Sequence, residues 1–339
     1  MRILTGLQSN TKLHIGNYFG AILPMVNVYN KLGEKDELFY FVPNLHSFTM
    51  PIDHSLLMVQ TLDNIRTLLA AGVDHTDHRV NLFRQSRIPG HTQLSWTLEC
   101  FTSYGEASRM TQFKDKSLKV GQAGFSVGLL TYPILMAADI LLYDIDYIPV
   151  GEDQHQHLEL CRDIAIRLNN KFGNDLFTIP KNVNDQLKFI DLEKGLRIKS
   201  LSNPDKKMSK SDQDPKGTIY INDNADQAFK KIMSATTDSV GIVNYDIENQ
   251  PGISNLIQIY SCCTNTPLKE CITKFTGMDR YGDFKSIVAT SVKEFLIQFQ
   301  KNQNQYSDSD ILDILEVHEK RVGIISENKI KKIYDRLGL

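Results

Sequence analysis

Arg2-Ile3-Leu4-Thr5, followed by Gly6-Leu7-Gln8 and then by His14-Ile15-Gly16-Asn17, reads as a strand, a glycine turn and the opening of a helix. The helix continues as an apolar stripe at Ile15, Tyr18, Phe19, Ile22, Val26 and Tyr29 and stops near Gly33, with Pro24 expected to kink it. Further along, residues 38–42, 80–84 and 147–150 read as strands, and helix-period segments around 94–101, 127–143 and 160–168 alternate with them. Such alternation implies right-handed crossovers and an α/β fold with a parallel, doubly wound sheet. Ligands of such sheets sit beyond the carboxyl ends of the strands. From Ala225 onward the pattern turns helical, most clearly at Phe284, Ile287, Val288, Val292, Phe295 and Phe299. No glycine-serine linker separates the two parts, so the helical part is expected to pack directly on the sheet.

The 339 residues suffice for two domains, at roughly 100 to 200 residues each. Apolar residues at 41% and charged residues at 23% exclude a disordered or fibrous chain. Lys plus Arg number 38 against 40 Asp plus Glu, so a polyanionic partner must be met by local basic patches. No apolar run approaches the ~18 residues of a membrane span. Motif material begins by Thr5, so no presequence is expected. The five cysteines (Cys100, Cys161, Cys262, Cys263 and Cys271) form no Cys-x-x-Cys pair and read as reduced thiols of a cytoplasmic protein.

Neither Gly-x-Gly-x-x-Gly nor Gly-x4-Gly-Lys-Ser/Thr occurs, so phosphates must be held in another way. Residues 14–17 open a helix, where unpaired N–H groups and the helix dipole favour anions. Gly16, lacking a β-carbon, lets an adenine ring or a phosphate approach the backbone, and His14 and Asn17 are hydrogen-bond donors. Taken alone, such a tetrapeptide more often marks a helix start with a surface histidine. Lys207-Met208-Ser209-Lys210-Ser211 lies in a loop marked by Asp212, Pro215 and Gly217. Its two ammonium groups suit a triphosphate, where charge builds during displacement at phosphorus. A lysine loop is commonly just solvated, but paired with His-x-Gly-Asn about 190 residues earlier it becomes specific.

Asp139 stands in an otherwise apolar helix, where a carboxylate must be hydrogen-bonded or paired. It either caps backbone or pairs with a lysine, or it receives a ligand's donor. His155 and His157, two apart on a helix, point in different directions without a third ligand, so no metal site is expected. Trp96 is expected to fill a helix contact, and the sequence assigns His46 no role.

The paired motifs resemble the two signatures of the class I aminoacyl-tRNA synthetases, His14 to Asn17 the HIGH motif and Lys207 to Ser211 the KMSKS motif. Met136-Ala137-Ala138-Asp139-Ile140-Leu141-Leu142-Tyr143, Val150-Gly151-Glu152-Asp153-Gln154 with His157, and Arg109-Met110-Thr111-Gln112-Phe113-Lys114 are similar to the tryptophanyl family rather than the tyrosyl one. The resemblance runs from Thr5 to about Tyr260. It implies a Rossmann-like catalytic domain over residues 1–215, a helical anticodon-binding domain over 216–339, a cytoplasmic homodimer without membrane attachment, and ATP, Mg²⁺, L-tryptophan and tRNA(Trp) as partners.

The resemblance also implies the site residues. His14, Asn17, Lys114, Lys207 and Lys210 are the expected catalytic set. Gln8, Ser9, Asn10, Gly16, Asn17, Gly151, Glu152, Asp153 and Ile198 surround ATP, together with Lys207, Met208, Ser209, Lys210 and Ser211. Met136, Asp139, Val150 and Gln154 hold tryptophan, whose indole N–H is a donor only and so calls for a buried acceptor such as Asp139. Ser9 and Asn10 depart from the family's usual proline and serine or threonine, and the stretch 181–199 is longer than usual. A tyrosyl-tRNA synthetase, a small-molecule nucleotidylyltransferase and a non-catalytic RNA-binding paralogue stay open as alternatives.

Overall fold

Residues 3–4, 38–42 and 80–83 are almost continuously apolar, so successive side chains, which point to opposite faces of a strand, can bury both faces, as a parallel sheet requires. The computed structural model describes residues 1–6, 13–120, 125–190, 197–209 and 214–339. In it β1 (Arg2–Gly6), β2 (Glu37–Val42) and β3 (Val80–Arg84) lie in that order, all parallel, with Leu4 opposite Phe39 and Tyr40 opposite Leu82. Ile3, Leu38, Tyr40, Val42, Val80 and Leu82 join one buried cluster, and Leu4, Phe39, Phe41 and Phe83 the other.

Between and after the strands run α1 (Ile15–Asn17), α2 (Leu23–Asn30), α3 (Leu57–Ala70), α4 (Gly90–Glu99), α5 (Tyr104–Ser108), α6 (Thr111–Val120), α7 (Val127–Leu141), α8 (His155–Phe172) and α9 (Val183–Ile190). The remainder consists mainly of α10 (Ala225–Met233), α11 (Pro251–Thr264), α12 (Leu268–Phe275), α13 (Tyr281–Gln303) and α14 (Asp308–Leu337). Ile253, Phe275, Phe284 and Val288 of these later helices share the first cluster with the sheet, and α13 packs on α3. The helical part thus docks on the sheet through one continuous apolar core.

Two local expectations are corrected. The strand at 147–150 shrinks to one parallel bridge between Tyr147 and Ile3. There the Tyr147 N–H donates to Arg2 O (3.1 Å) and the Leu4 N–H donates to Tyr147 O (2.9 Å). Pro149 has no N–H to extend the ladder, and the Ile148 N–H donates to Gln186 Oε1 of α9 at 2.8 Å. The bridge still sets the topology. The chain adds β2 and β3 on one side of β1 and returns to its other side at Tyr147, which makes the gap beyond β1 the switch point. Nor does Pro24 kink a continuous helix. A π turn over Tyr18–Ile22, closed by the Leu23 N–H on Tyr18 O, separates α1 from α2, and Pro24 falls in the first turn of α2, where its missing N–H costs nothing.

α14 crosses from one face of the sheet to the other. Its Ile311 and Leu315 belong to the first cluster, and its Val322, Ile330 and Ile333 to the second. At the crossing it passes the free edge of β3, whose backbone groups its side chains satisfy. The Leu82 N–H donates to His318 Nδ1 (3.3 Å), the Arg84 N–H donates to Glu319 Oε1 (3.1 Å), and Arg321 donates to Val80 O. Gly90 of α4 allows the close approach, since a β-carbon there would lie 3.3 Å from Ile330 and closer still to Ser326 Oγ.

His318 accepts at Nδ1 and donates from Nε2 to His75 O (3.0 Å), so it is held neutral. Burial, with the nearby Arg321 charge, pushes its pKa down from 6.5 to about 4. The unfolded chain therefore takes up a proton that the folded chain refuses as pH falls below 6.5. This contribution to stability is whole above pH 6.5 and is lost between there and about pH 4. We expect urea unfolding to show a loss on the order of 2 kcal/mol over that window beyond the loss in His318→Gln, which has no such titration. Parallel curves for the two proteins would refute the assignment.

Candidate active site

The two signature segments meet. The Ile15 N–H donates to Ile219 O (2.9 Å) and the Ile221 N–H to Leu13 O (3.1 Å), while His14 and Tyr220 form an antiparallel bridge. Lys199 bridges Lys207, the Met208 N–H donates to Ile198 O (3.1 Å), and the Thr218 hydroxyl donates to Ser209 O (2.9 Å). Buried Met208 is thereby pressed on Gly16, where an added β-carbon would lie 3.4 Å from Met208 Cβ and 3.0 Å from His14 Nδ1. A β-carbon at 16 would crowd the His14 ring first and already fill the space up to Met208, so side chains longer than alanine have no room between the two segments. Ile198 is buried behind Met208, and Lys207 is exposed. Gln8, Ser9, Asn10, Lys210 and Ser211 lie outside the described residues.

His14 caps α1. Its Nδ1 accepts from the Asn17 N–H (3.1 Å), and Asn17 Oδ1 accepts from the His14 N–H (3.4 Å). Both side chains are thus oriented with their acceptors turned to the backbone, which leaves His14 Nε2 and Asn17 Nδ2 as the donating atoms. Lys114 projects from α6 as an exposed side chain.

Asp139 of α7 is 1% exposed, and its carboxylate collects donors from three elements. Gln85 Nε2 donates to Oδ1 (2.8 Å) and Oδ2 (3.0 Å), His91 Nδ1 to Oδ1 (2.6 Å), and His46 Nε2 to Oδ2 (2.9 Å). The Tyr143 hydroxyl bonds His91 Nε2 at 2.8 Å. Burial by itself raises the Asp139 pKa, but the hydrogen bonds and charges of His46 and His91 outweigh it and leave the carboxyl below its usual value. Of the three partners, His46 is the one that reaches the surface, at 20% exposure.

From His46 the contacts run on to the turn at Gly151. The His46 ring stands edge-on to Tyr132 (6.1 Å between centroids), and the Tyr132 hydroxyl bonds His157 Nε2 (3.3 Å). His157 Nδ1 donates to Gln154 Oε1 (2.7 Å), and Gln154 Nε2 to Asp153 Oδ2 (2.7 Å). Met136 and Val150 are half-buried against the second apolar cluster. Gly151 and Glu152 are exposed at the switch point. The structure so joins Asp139, Gln154 and Asp153 into one contact chain, with Gly16 and Met208 as a second contact.

His46, Gln85, His91 and Tyr143 are absent from the sequence-derived site. Their signal was the buried carboxylate itself, which required donors, yet nothing in local spacing says which distant residues supply them. Trp96 needs correction: it is 70% exposed, because α4 buries Leu94 and Leu98 on its other side. With Phe48, 54% exposed, it borders a groove of about 330 Å³ lined also by Leu45, Tyr132 and Leu135. No helix among the described residues is long and apolar enough to cross a membrane.

Comparison with known proteins agrees with this geometry. The pattern of the tRNA synthetases class I (W and Y) matches residues 1–297. The tryptophan–tRNA ligase of Caldanaerobacter subterraneus subsp. tengcongensis is 43% identical over 338 residues, covering 100% of this chain and 98% of the relative. Among solved structures, tryptophanyl-tRNA synthetase from Campylobacter jejuni complexed with ADP and tryptophan is 34% identical, with a TM-score of 0.80 and 100% of both chains covered. The enzyme from Mycoplasma pneumoniae is also 34% identical, with a TM-score of 0.78 over 100% of this chain and 97% of that one. With both signatures in contact at the switch point and these relatives matched along their whole length, the chain belongs to the class I tRNA synthetases (W and Y), among the bacterial-type tryptophan–tRNA ligases.

Proposed function

We propose that this chain activates L-tryptophan with ATP and transfers it to the 3′ end of tRNA(Trp). The observation that carries this reading is the packing of Met208 on Gly16 at the switch point, with a buried, donor-saturated carboxylate at the other end of the site. In the first step a tryptophan carboxylate oxygen attacks the α-phosphorus, the bond to the bridging oxygen breaks, and pyrophosphate leaves. In the second a terminal ribose hydroxyl of the tRNA attacks the acyl carbon and AMP leaves. Mg²⁺ arrives on the ATP phosphates as part of the substrate.

His14 Nε2, Asn17 Nδ2 and the ammonium groups of Lys114, Lys207 and Lys210 are placed in this reading against the phosphates. They act by positioning and charge stabilisation rather than as nucleophiles. Asp139 accepts the indole N–H as His46 gives way, with Met136, Val150 and Gln154 around the ring. The helical part, from about residue 216, reads the anticodon. A second copy of the chain covers the Trp96 and Phe48 groove, and the dimer works in the cytoplasm.

The test is exchange of pyrophosphate into ATP, run with each amino acid in turn. Exchange is expected with tryptophan and to a negligible extent with tyrosine. A preference for tyrosine would overturn the amino-acid assignment, and exchange with neither would overturn activation itself.

A further inference from the structure

Glu319 of α14 lies far along the chain from the amino-acid pocket, yet two steps of contact connect them. Gln85 is fully buried and begins the short turn Gln85–Arg87 directly after β3. Its amide is used at both ends. Nε2 donates to both Asp139 oxygens (2.8 and 3.0 Å), and Oε1 accepts from the Leu45 N–H (3.1 Å). A planar amide so engaged holds its partners only while its own backbone stays in place, since hydrogen bonds weaken steeply beyond about 3.2 Å.

That backbone is held from two sides: after Gln85, Asn44 Oδ1 accepts from the Ser86 N–H (3.0 Å) and Asn44 Nδ2 donates to Ser86 Oγ (2.8 Å), and before it stands one buried carboxylate. Glu319 Oε1 accepts from the Arg84 N–H (3.1 Å) and from Arg84 Nε (2.7 Å), while Oε2 accepts from Arg84 NH2 (2.7 Å). Oε2 also lies 3.7 Å from Nε of Arg87 at the far end of the turn. Glu319 therefore ties the residue before Gln85 through backbone and side chain, and attracts the last residue of its turn. Arg84 and Glu319 are 7% and 8% exposed. A pair so buried adds little net stability over apolar residues of the same size, so its effect here is on position.

We infer that Glu319 is a positioning residue for tryptophan recognition, acting through Arg84 and Gln85 to aim the Asp139 carboxylate. α14 is in that sense part of the amino-acid pocket. The inference rests on Asp139 as the group that accepts the indole N–H.

Glu319→Gln keeps the shape but turns one acceptor into a donor facing Arg84. Because a lone buried Arg84 charge can unfold the protein, the double variant Arg84→Met/Glu319→Leu removes the pair as a whole. Ile333→Ala, in the same helix and away from the pair, serves as the control for stability alone. Pyrophosphate exchange on variants shown by circular dichroism to be folded is expected to give a tryptophan KM raised about tenfold in both pair variants, with the ATP KM changed less than about twofold. Ile333→Ala is expected to leave both constants alone. An unchanged tryptophan KM in the folded pair variants overturns the inference, as does an equal rise in Ile333→Ala. Asp139→Asn, measured alongside, must itself raise the tryptophan KM. If it does not, the reading of Asp139 falls and takes this inference with it, whereas a rise there and none in the pair variants overturns the positioning role only.

Discussion

Alanine in place of Lys210 is expected to slow tryptophan-dependent pyrophosphate exchange by about 10² to 10³-fold while leaving the tryptophan KM nearly unchanged. The lysine is the second ammonium group of Lys207-Met208-Ser209-Lys210-Ser211. This segment is anchored by Met208 on Gly16 and by the Thr218 hydroxyl on Ser209 O. Tryptophan binds the same way in ground state and transition state as far as the pyrophosphate is concerned. Charge on the departing oxygens grows only as the bond to the α-phosphorus breaks. A cation meeting that charge lowers the barrier without strengthening substrate binding, so its loss falls on kcat. The effect corresponds to about 2.7 to 4 kcal/mol of barrier. An exchange rate equal to that of the unaltered protein would remove Lys210 from the catalytic set.

Asp139→Asn is expected to raise the tryptophan KM by about 100-fold and to leave the ATP KM much less affected. The carboxylate accepts from Gln85, His91 and His46, and an asparagine amide can accept on one side only. Its NH2 group then faces a donor from Gln85, His91 or His46, or the indole itself. Phenylalanine, which offers no donor, leaves the wild-type carboxylate without the indole partner, so discrimination between tryptophan and phenylalanine should fall along with affinity. Both KM values come from pyrophosphate exchange, with circular dichroism to establish folding. Wild-type tryptophan kinetics in the folded variant would make Asp139 a structural residue.

Strand and helix alternation, the parallel sheet and the two signatures were legible because each is written in local spacing. The π turn was not, since an apolar stripe at Ile15, Tyr18, Phe19 and Ile22 looks alike whether a turn holds four residues or five. The strand at 147–150 was overread because its apolar residues say nothing of Pro149's missing donor or of Gln186 supplying the next partner. α14 was the least legible element. It buries His318, Glu319 and Lys329 among its apolar residues, so its stripe is broken at the place where it crosses β3. Within the site, the residues proposed to meet phosphate sit in contiguous motifs, so they could be named from the sequence. The Asp139 partners come from residues 46, 85 and 91, and only the folded chain brings them together.

The cover that α14 gives to β3 has a price in time. Leu82 and Arg84 find their partners His318 and Glu319 at separations of 236 and 235 residues. At a synthesis rate of about 5 to 20 residues per second, a nascent chain carries the naked edge of β3 for on the order of ten seconds or more before the covering helix has been made. Throughout that interval the strand offers its unpaired amides and carbonyls to any neighbouring chain emerging from the same polysome. Holdase chaperones that mask such edges during translation should therefore govern the yield of this protein more than its final stability does. Fragments ending before α14 should accumulate as aggregates even though every residue of the sheet is present in them.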